Sequence, residues 1–296
     1  MIRLGIFVLS LLLLPFVGVW VSGAEWGTLP ATLLDTDNVI SATLLTTLTL
    51  LGYVFLTNHI VKLYTGNNPL NVQRNYHFAV GGASAILGWL LVYLNYYAAS
   101  WTPIQGNLAL EILLYTPLFA LLAPAVLGTR AVFGSFQGLL KLLSNGIRVP
   151  VLNAEKLSFV LIALSAIGLL GSAAFPEQLF ALLWLAPLLL LIAMQLLWHE
   201  STIFSGLKSG DWGRVVCTLL SGIIVCNLTV MSYQNNGGSV LINVSNPAYI
   251  QLGYALFGLL CLQLGDVIAE NWRGKKRTEL FQQKKKFPIP VVAKKD

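Results

Sequence analysis

The sequence has few charged residues: lysine, arginine, aspartate and glutamate together make up only 10% of its 296 positions. Soluble globular proteins carry about 25%, so the composition excludes that class. Hydrophobic residues make up 56% and the mean hydropathy is +0.74, as in chains whose main solvent is lipid. The sequence therefore predicts an integral membrane protein.

Cysteine is also scarce, with three residues in the whole chain. Cys217 and Cys226 lie nine positions apart, on opposite faces of one helix, and Cys261 stands alone in the last apolar run. This spacing excludes a disulfide framework. We expect all three to be small packing residues.

Known catalytic motifs are absent. His199-Glu200 is followed by Ser201-Thr202-Ile203, so the second histidine of a zinc-binding HExxH helix is missing. There is no GxSxG, Walker-type or CxxC pattern, and no predicted span contains two histidines. We therefore predict no cofactor and no metal site.

Long apolar runs are what the sequence does contain. A helix needs about 20 apolar residues to cross the hydrocarbon core, and continuous Leu, Ile, Val and Ala favour helices over the alternating strands of a barrel. We predict an all-α polytopic transmembrane bundle of about eight spans, in a single domain of residues 1–272. The predicted spans are 4–22, 39–61, 77–99, 108–128, 157–175, 178–198, 214–234 and 249–270.

The first run has a second interpretation. Residues 1–24 have a basic start, a Leu-rich core and small residues at the end, as a cleavable signal peptide does. Cleavage would leave seven spans in the same orientation.

The basic residues determine the orientation. With eight spans and a cytoplasmic N-terminus, all 18 lysines and arginines fall on the cytoplasmic side. Acidic residues occupy the opposite loops, at Glu25, Asp35, Asp37 and Glu177. This pattern predicts that both termini are cytoplasmic, and it is typical of a bacterial inner membrane.

Two basic segments are expected at the membrane surface. Apolar residues at helical spacing, such as Phe133, Phe136 and Leu140, predict an interfacial helix over residues 131–145. Residues 273–296 form a lysine-rich cytoplasmic tail that attracts anionic lipid headgroups. We assign the net charge of +6 to contacts with membrane lipids and not to nucleic acid.

Ionisable side chains concentrate at the cytoplasmic ends of the spans, where such groups mark candidate sites. Asp266 and Glu270 share one helix face and repel each other, and Arg273 is their nearest basic partner in the sequence. The group forms either a salt-bridged interface layer or a pocket for a cation, a proton or a lipid headgroup. Its members are His59, His77, His199, Glu200, Asp266 and Glu270.

A second candidate lies in the fourth span. Glu111 falls in the first turn, where water and the positive end of the helix dipole favour an acidic side chain. Alternatively, Glu111 and Tyr115 line a cavity beside a helix that is kinked at Pro117 and Pro124.

Residues 207–214 (LKSGDWGR) and 252–258 (LGYALFG), with the proline-containing spans four and six, resemble an uncharacterised family of bacterial polytopic inner-membrane proteins. The resemblance covers the C-terminal half and implies no activity. The aromatic-rich seventh span of that family is replaced here by residues such as Cys217, Cys226 and Asn227. No site residue is therefore transferred.

Three classes of function remain open. A carrier or channel for a small solute or ion is favoured by the proline-broken spans and by intramembrane polar residues such as Asn95 and Gln195; it predicts a cavity that reaches Glu111 or Asp266. A non-catalytic anchor or assembly subunit predicts a packed bundle and a protein partner. An enzyme acting on a lipid or isoprenoid at the cytoplasmic face predicts that the histidines and carboxylates converge.

Overall fold

The computed structural model describes residues 38–101, 108–149, 153–172, 175, 177–200, 202–238, 240, 242 and 246–273. The first run, predicted as a span or a signal peptide, and the tail beyond residue 273 lie outside the described residues. In the described part all regular secondary structure is helical, as predicted. The α-helices are α1 (Asn38–Thr65), α2 (Pro69–Val72), α3 (Arg74–Ala98), α4 (Leu108–Gly134), α5 (Gln137–Leu143), α6 (Ala154–Ala166), α7 (Phe180–Leu197), α8 (Gly213–Asn235) and α9 (Pro247–Arg273).

Seven helices of the described part are long and apolar enough to cross a membrane, so the protein is an integral membrane protein. They overlap the last seven predicted runs. One of them, α6, is extended by a π-helical turn at Ile167–Gly171. The seven are α1, α3, α4, α6, α7, α8 and α9.

The helix predicted over residues 131–145 has different bounds in the structure. The span α4 continues through the first of these residues, because Val132 and Phe133 are buried in the bundle. The chain then adopts an extended conformation at Phe136, and α5 begins at Gln137 as a separate short helix.

The helices α8 and α9 lie between two apolar cores. One core joins them to α1, α3 and α4, and includes Leu50, Val80, Val126 and Val225. The other joins them to α3, α6 and α7. Both helices therefore contact most of the bundle.

At the middle of their contact, α8 and α9 touch through backbone atoms. A Cβ atom added to Gly222 would lie only 2.7 Å from both the Cα and the N of Gly258. Further along, the amides of Asn227 and Gln251 exchange two hydrogen bonds, of 2.7 and 3.1 Å. Small residues and paired amides commonly hold helices together in lipid, because burying apolar side chains there contributes little to the free energy of helix association.

A serine from α3 completes the hydrogen bonding of α4 where Pro124 interrupts it. The proline ring disturbs the preceding turn. The Ser84 hydroxyl donates to the Phe119 carbonyl at 2.5 Å and accepts the Ala123 N–H at 3.1 Å. It therefore stands between a donor and an acceptor that a regular helix joins directly.

Candidate functional site

The basic side chains collect at one end of the bundle, where α1, α4, α7 and α9 end and where α3, α6 and α8 begin. The ends are in contact: the hydroxyl of Tyr76 in α3 donates to the Gly265 carbonyl of α9 at 3.2 Å. We call this the basic end. It is defined by Lys62, Arg74, Arg130, Lys141, Arg148, Lys156, Lys208 and Arg214.

A pocket of about 570 Å³ lies at the basic end between α4, α5 and the start of α8. Its lining includes three cationic side chains, Arg130, Lys141 and Arg214, and one carboxylate, Asp211. That carboxylate accepts the Gly213 N–H at 2.9 Å, so it is engaged at the N-terminus of α8. The pocket, which we call the basic pocket, therefore has an excess of positive charge.

One side of the basic pocket is built by the loops that precede α6 and α8. The Gly146 N–H donates to the Gly210 carbonyl at 2.9 Å, and the Trp212 N–H donates to the Leu143 carbonyl at 2.9 Å. The Trp212 indole N–H also donates to the Ile147 carbonyl at 2.8 Å. Gly210 has a φ of +86°, a conformation that costs energy for any residue with a side chain. The loops are thus fixed by main-chain hydrogen bonds.

Arg214, in the first turn of α8, forms an ion pair with Asp266 of α9. Arg273 is the nearest basic residue in the sequence, but antiparallel packing also brings the start of α8 beside the end of α9 and places Arg214 against Asp266. The two side chains are 23% and 19% exposed. The Nε atom of Arg214 is buried and has no hydrogen-bond partner among the described residues, so the guanidinium keeps a donor unused.

Arg130 faces the same pocket from the last turns of α4. Its side chain is half-buried, and it makes no hydrogen bond or ion pair with any residue that the structure describes. Its electrostatic counter-charge is Asp266, which Arg130 shares with Arg214, so two guanidinium groups face one carboxylate. The pocket therefore contains a cation that a negatively charged ligand would compensate.

The three histidines lie at the basic end but do not line the basic pocket. His59 and His199 are exposed. His77 is half-buried, and its Nδ1 lies 3.0 Å from the carbonyl of Gln73, one turn earlier in the chain. In the described part of the chain, no group of three or more His, Cys, Asp and Glu side chains could hold a metal ion.

The three carboxylates of the predicted cluster lie on two elements. Asp266 pairs with Arg214, and Glu270 lies one turn further along α9, close enough to interact with Asp266 electrostatically. Glu200 is half-buried in the loop after α7. Asp266 is therefore the member of the predicted cluster that pairs with a residue of the basic pocket.

The second predicted group lies at the opposite end of the bundle. Glu111 is half-buried in the first turn of α4, and the Tyr115 hydroxyl lies 3.1 Å from the Tyr233 hydroxyl of α8. Pro117 is exposed and Pro124 is buried. None of the four predicted residues lines the basic pocket.

The residues of the basic pocket were used in the sequence analysis only as markers of orientation. Arg130 and Arg214 lie in the last and first turns of spans, but so do Lys62, Arg74 and Lys156, which do not line the pocket. No sequence signal therefore separates the pocket residues from the other basic residues, and the position of Lys141 depends on how α5 packs against α8.

Comparisons of the chain with protein-family models, with curated proteins and with solved structures find no match. The function is therefore inferred from the geometry and charge of the site.

Proposed function

We propose that the protein is a membrane carrier for a small anion, which binds in the basic pocket. The observation that supports this most directly is the placement of Arg130, Lys141 and Arg214 on one pocket with a single acidic residue. Guanidinium groups bind carboxylates and phosphates with two parallel hydrogen bonds. Arg130 makes no hydrogen bond with a described residue, so its donors are available to a ligand in the pocket.

The size of the pocket suits a small organic anion. Pockets for small molecules have volumes of about 300–1,000 Å³, and this one measures about 570 Å³. By the positive-inside rule the pocket would open to the cytoplasm, with both termini on that side of a bacterial inner membrane. The basic tail would then lie near anionic headgroups.

Two features favour a carrier over a static anchor. Pro124 lies inside α4, six residues before Arg130, and a proline removes one main-chain hydrogen bond and allows a helix to bend. In addition, Gln195 and Gln263 are fully buried in the basic half of the bundle, and their amide groups have no hydrogen-bond partner among the described residues. Buried amides without hydrogen-bond partners are costly in a static core. In a carrier they would hydrogen-bond a polar solute that passes through the bundle.

A second candidate is a protein that binds the phosphate of a lipid headgroup. Leu142 and Ile147, beside the pocket, are 75% and 81% exposed. Lys141 and Arg148 are their neighbours in the chain. Exposed apolar residues next to cations are typical of a segment at the lipid interface. The enzyme interpretation has less support, because none of the histidines lines the pocket.

The test is anion-dependent thermal stability of the purified protein in detergent. Inorganic phosphate, citrate and a sugar phosphate are each added at constant ionic strength, with chloride as reference. We expect saturable stabilisation by at least one of them, and a roughly tenfold weaker apparent affinity in Arg130→Gln, because a charge-assisted hydrogen bond is lost. Lys62→Gln is the matched control: this lysine is exposed at the basic end and lies outside the pocket.

The anion that stabilises the protein is then tested for uptake into proteoliposomes. Uptake that Arg130→Gln abolishes supports the carrier. Binding without uptake, or stabilisation by a short-chain phosphatidylglycerol and not by the soluble anions, would replace the carrier with the headgroup-binding protein. Equal responses of Arg130→Gln and Lys62→Gln would eliminate the pocket as the site.

A further inference from the structure

Glu111 lies in the half of the bundle that lacks basic side chains. Its Oε1 atom is buried and has no hydrogen-bond partner among the described residues. Tyr115 follows one turn later in α4, and its hydroxyl is joined to Tyr233 of α8 and Thr43 of α1. Glu111 is close enough to interact electrostatically with the Tyr115 hydroxyl.

The hydroxyl protons of this cluster are already in use. The Thr43 hydroxyl donates to the Val39 carbonyl at 2.7 Å. The Tyr115 hydroxyl interacts with Thr43 and lies 3.1 Å from the Tyr233 hydroxyl. An arrangement in which Tyr233 donates to Tyr115, Tyr115 to Thr43 and Thr43 to Val39 uses every proton. The cluster then presents only oxygen lone pairs, and none of its hydroxyls can donate to Glu111.

No counter-ion for Glu111 comes from the described residues of its own half of the bundle. Residues 38–50, 88–101, 108–122, 225–238 and 246–257 contain no lysine, arginine or histidine. Negative charge here is favoured by the start of α4, whose dipole is positive at that end. A buried carboxylate oxygen without a partner is costly, and a cation from solution would compensate its charge.

We infer that Glu111, Tyr115, Tyr233 and Thr43 form a binding site for a monovalent metal cation, specifically sodium. Hard cations prefer carboxylate, hydroxyl and carbonyl oxygens, and the described residues of the cluster supply these and no nitrogen. The cluster has one negative charge, which matches one positive charge. The site is separate from the basic pocket and does not depend on the proposed carrier function.

The test measures the thermal stability of the full chain in detergent while sodium chloride replaces N-methylglucamine chloride at constant ionic strength. We expect the unfolding temperature to rise by a few degrees and to saturate, since a ligand that binds only the folded state stabilises it by mass action. Glu111→Gln removes the charge and should abolish the rise. Glu177→Gln is the matched control, because it removes a carboxylate from an exposed loop at the same end.

A second variant keeps the test decisive if Glu111→Gln does not fold. Tyr115→Phe keeps the ring and the charge but removes one oxygen, and we expect a roughly tenfold weaker apparent sodium affinity. Direct binding of radioactive sodium to the purified protein provides a readout other than stability. The inference fails if sodium does not stabilise the wild-type protein, if Glu177→Gln has the same effect as Glu111→Gln, or if pH alone reproduces the stabilisation. Because no anion is varied, this outcome is independent of the anion test of the basic pocket.

Discussion

Arg214 and Asp266 are 52 residues apart in the chain and form an ion pair between the first turn of α8 and the last turns of α9. The pair has two effects. It compensates the charge of Asp266, which lies near the negative end of its own helix dipole. It also positions the Arg214 guanidinium at the edge of the basic pocket.

Removing one partner of this pair should destabilise the protein. In Asp266→Asn the Arg214 charge remains mostly buried without a counter-charge, and we expect a loss of roughly 2–3 kcal/mol in the free energy of unfolding. This is below the range for fully buried pairs because both groups are partly exposed. Denaturant titration in detergent measures the change. Glu270→Gln, one turn further along α9, is the control and should lose much less; equal losses would show that the pair contributes little.

The close contact of α8 and α9 should not tolerate a methyl group. Gly222→Ala places its Cβ against the backbone of Gly258, so the helices must separate, at a cost of about 1–3 kcal/mol. Gly253→Ala is the matched control, since a Cβ there meets no atom within 4 Å. Thermal unfolding of the two variants measures the difference. If Gly222→Ala is as stable as Gly253→Ala, the contact is looser than described.

The insertion of Ser84 into α4 gives a third prediction. Ser84→Ala leaves the Phe119 carbonyl and the Ala123 N–H without their partner, and we expect a loss of roughly 1–2 kcal/mol. Thermal unfolding in detergent again provides the measurement. The lipid-facing Thr49, whose hydroxyl bonds only the Leu45 carbonyl of its own helix, is the control: Thr49→Val should change stability little. A neutral Ser84→Ala would mean that α4 closes its own hydrogen bond.

The buried amides of Gln195 and Gln263 should be replaceable with a gain in stability. Neither side chain has a hydrogen-bond partner among the described residues, so methionine, of similar shape, removes a desolvation cost of about 1–2 kcal/mol each. Gln251→Met should have the opposite effect, because it breaks the amide pair with Asn227. Unfolding temperatures of the three variants test the signs. A loss of stability in Gln195→Met and Gln263→Met would indicate that these amides bind water or each other.

The sequence predicts the positions of the described spans well, because hydropathy determines the depth of each residue in the membrane. It does not predict rotation about the helix axis. His59 and His199 therefore lie at the expected end of the bundle but are exposed and do not line the pocket, whereas Arg214 does. Which face of a helix is buried depends on the helices packed against it, and the sequence of that helix does not identify those neighbours.

Two further features depend on packing that the sequence does not show. Arg214 is remote from Asp266 in the sequence, and the packing of α8 on α9 brings the two side chains together. The segment around Phe133 and Phe136 has helical spacing throughout, but in the structure α4 ends at Gly134 and a second helix begins at Gln137.

The helices α8 and α9 are joined at three levels: the ion pair at one end, the backbone contact in the middle and the Asn227–Gln251 amide pair towards the other end. A sliding or tilting motion between them would have to break all three contacts, so the pair resists it. In the carrier that we propose, relative motion therefore falls to the helices around this pair, and Pro124 gives α4 a point at which it can bend. Spin labels on α4 and α8 would measure that motion.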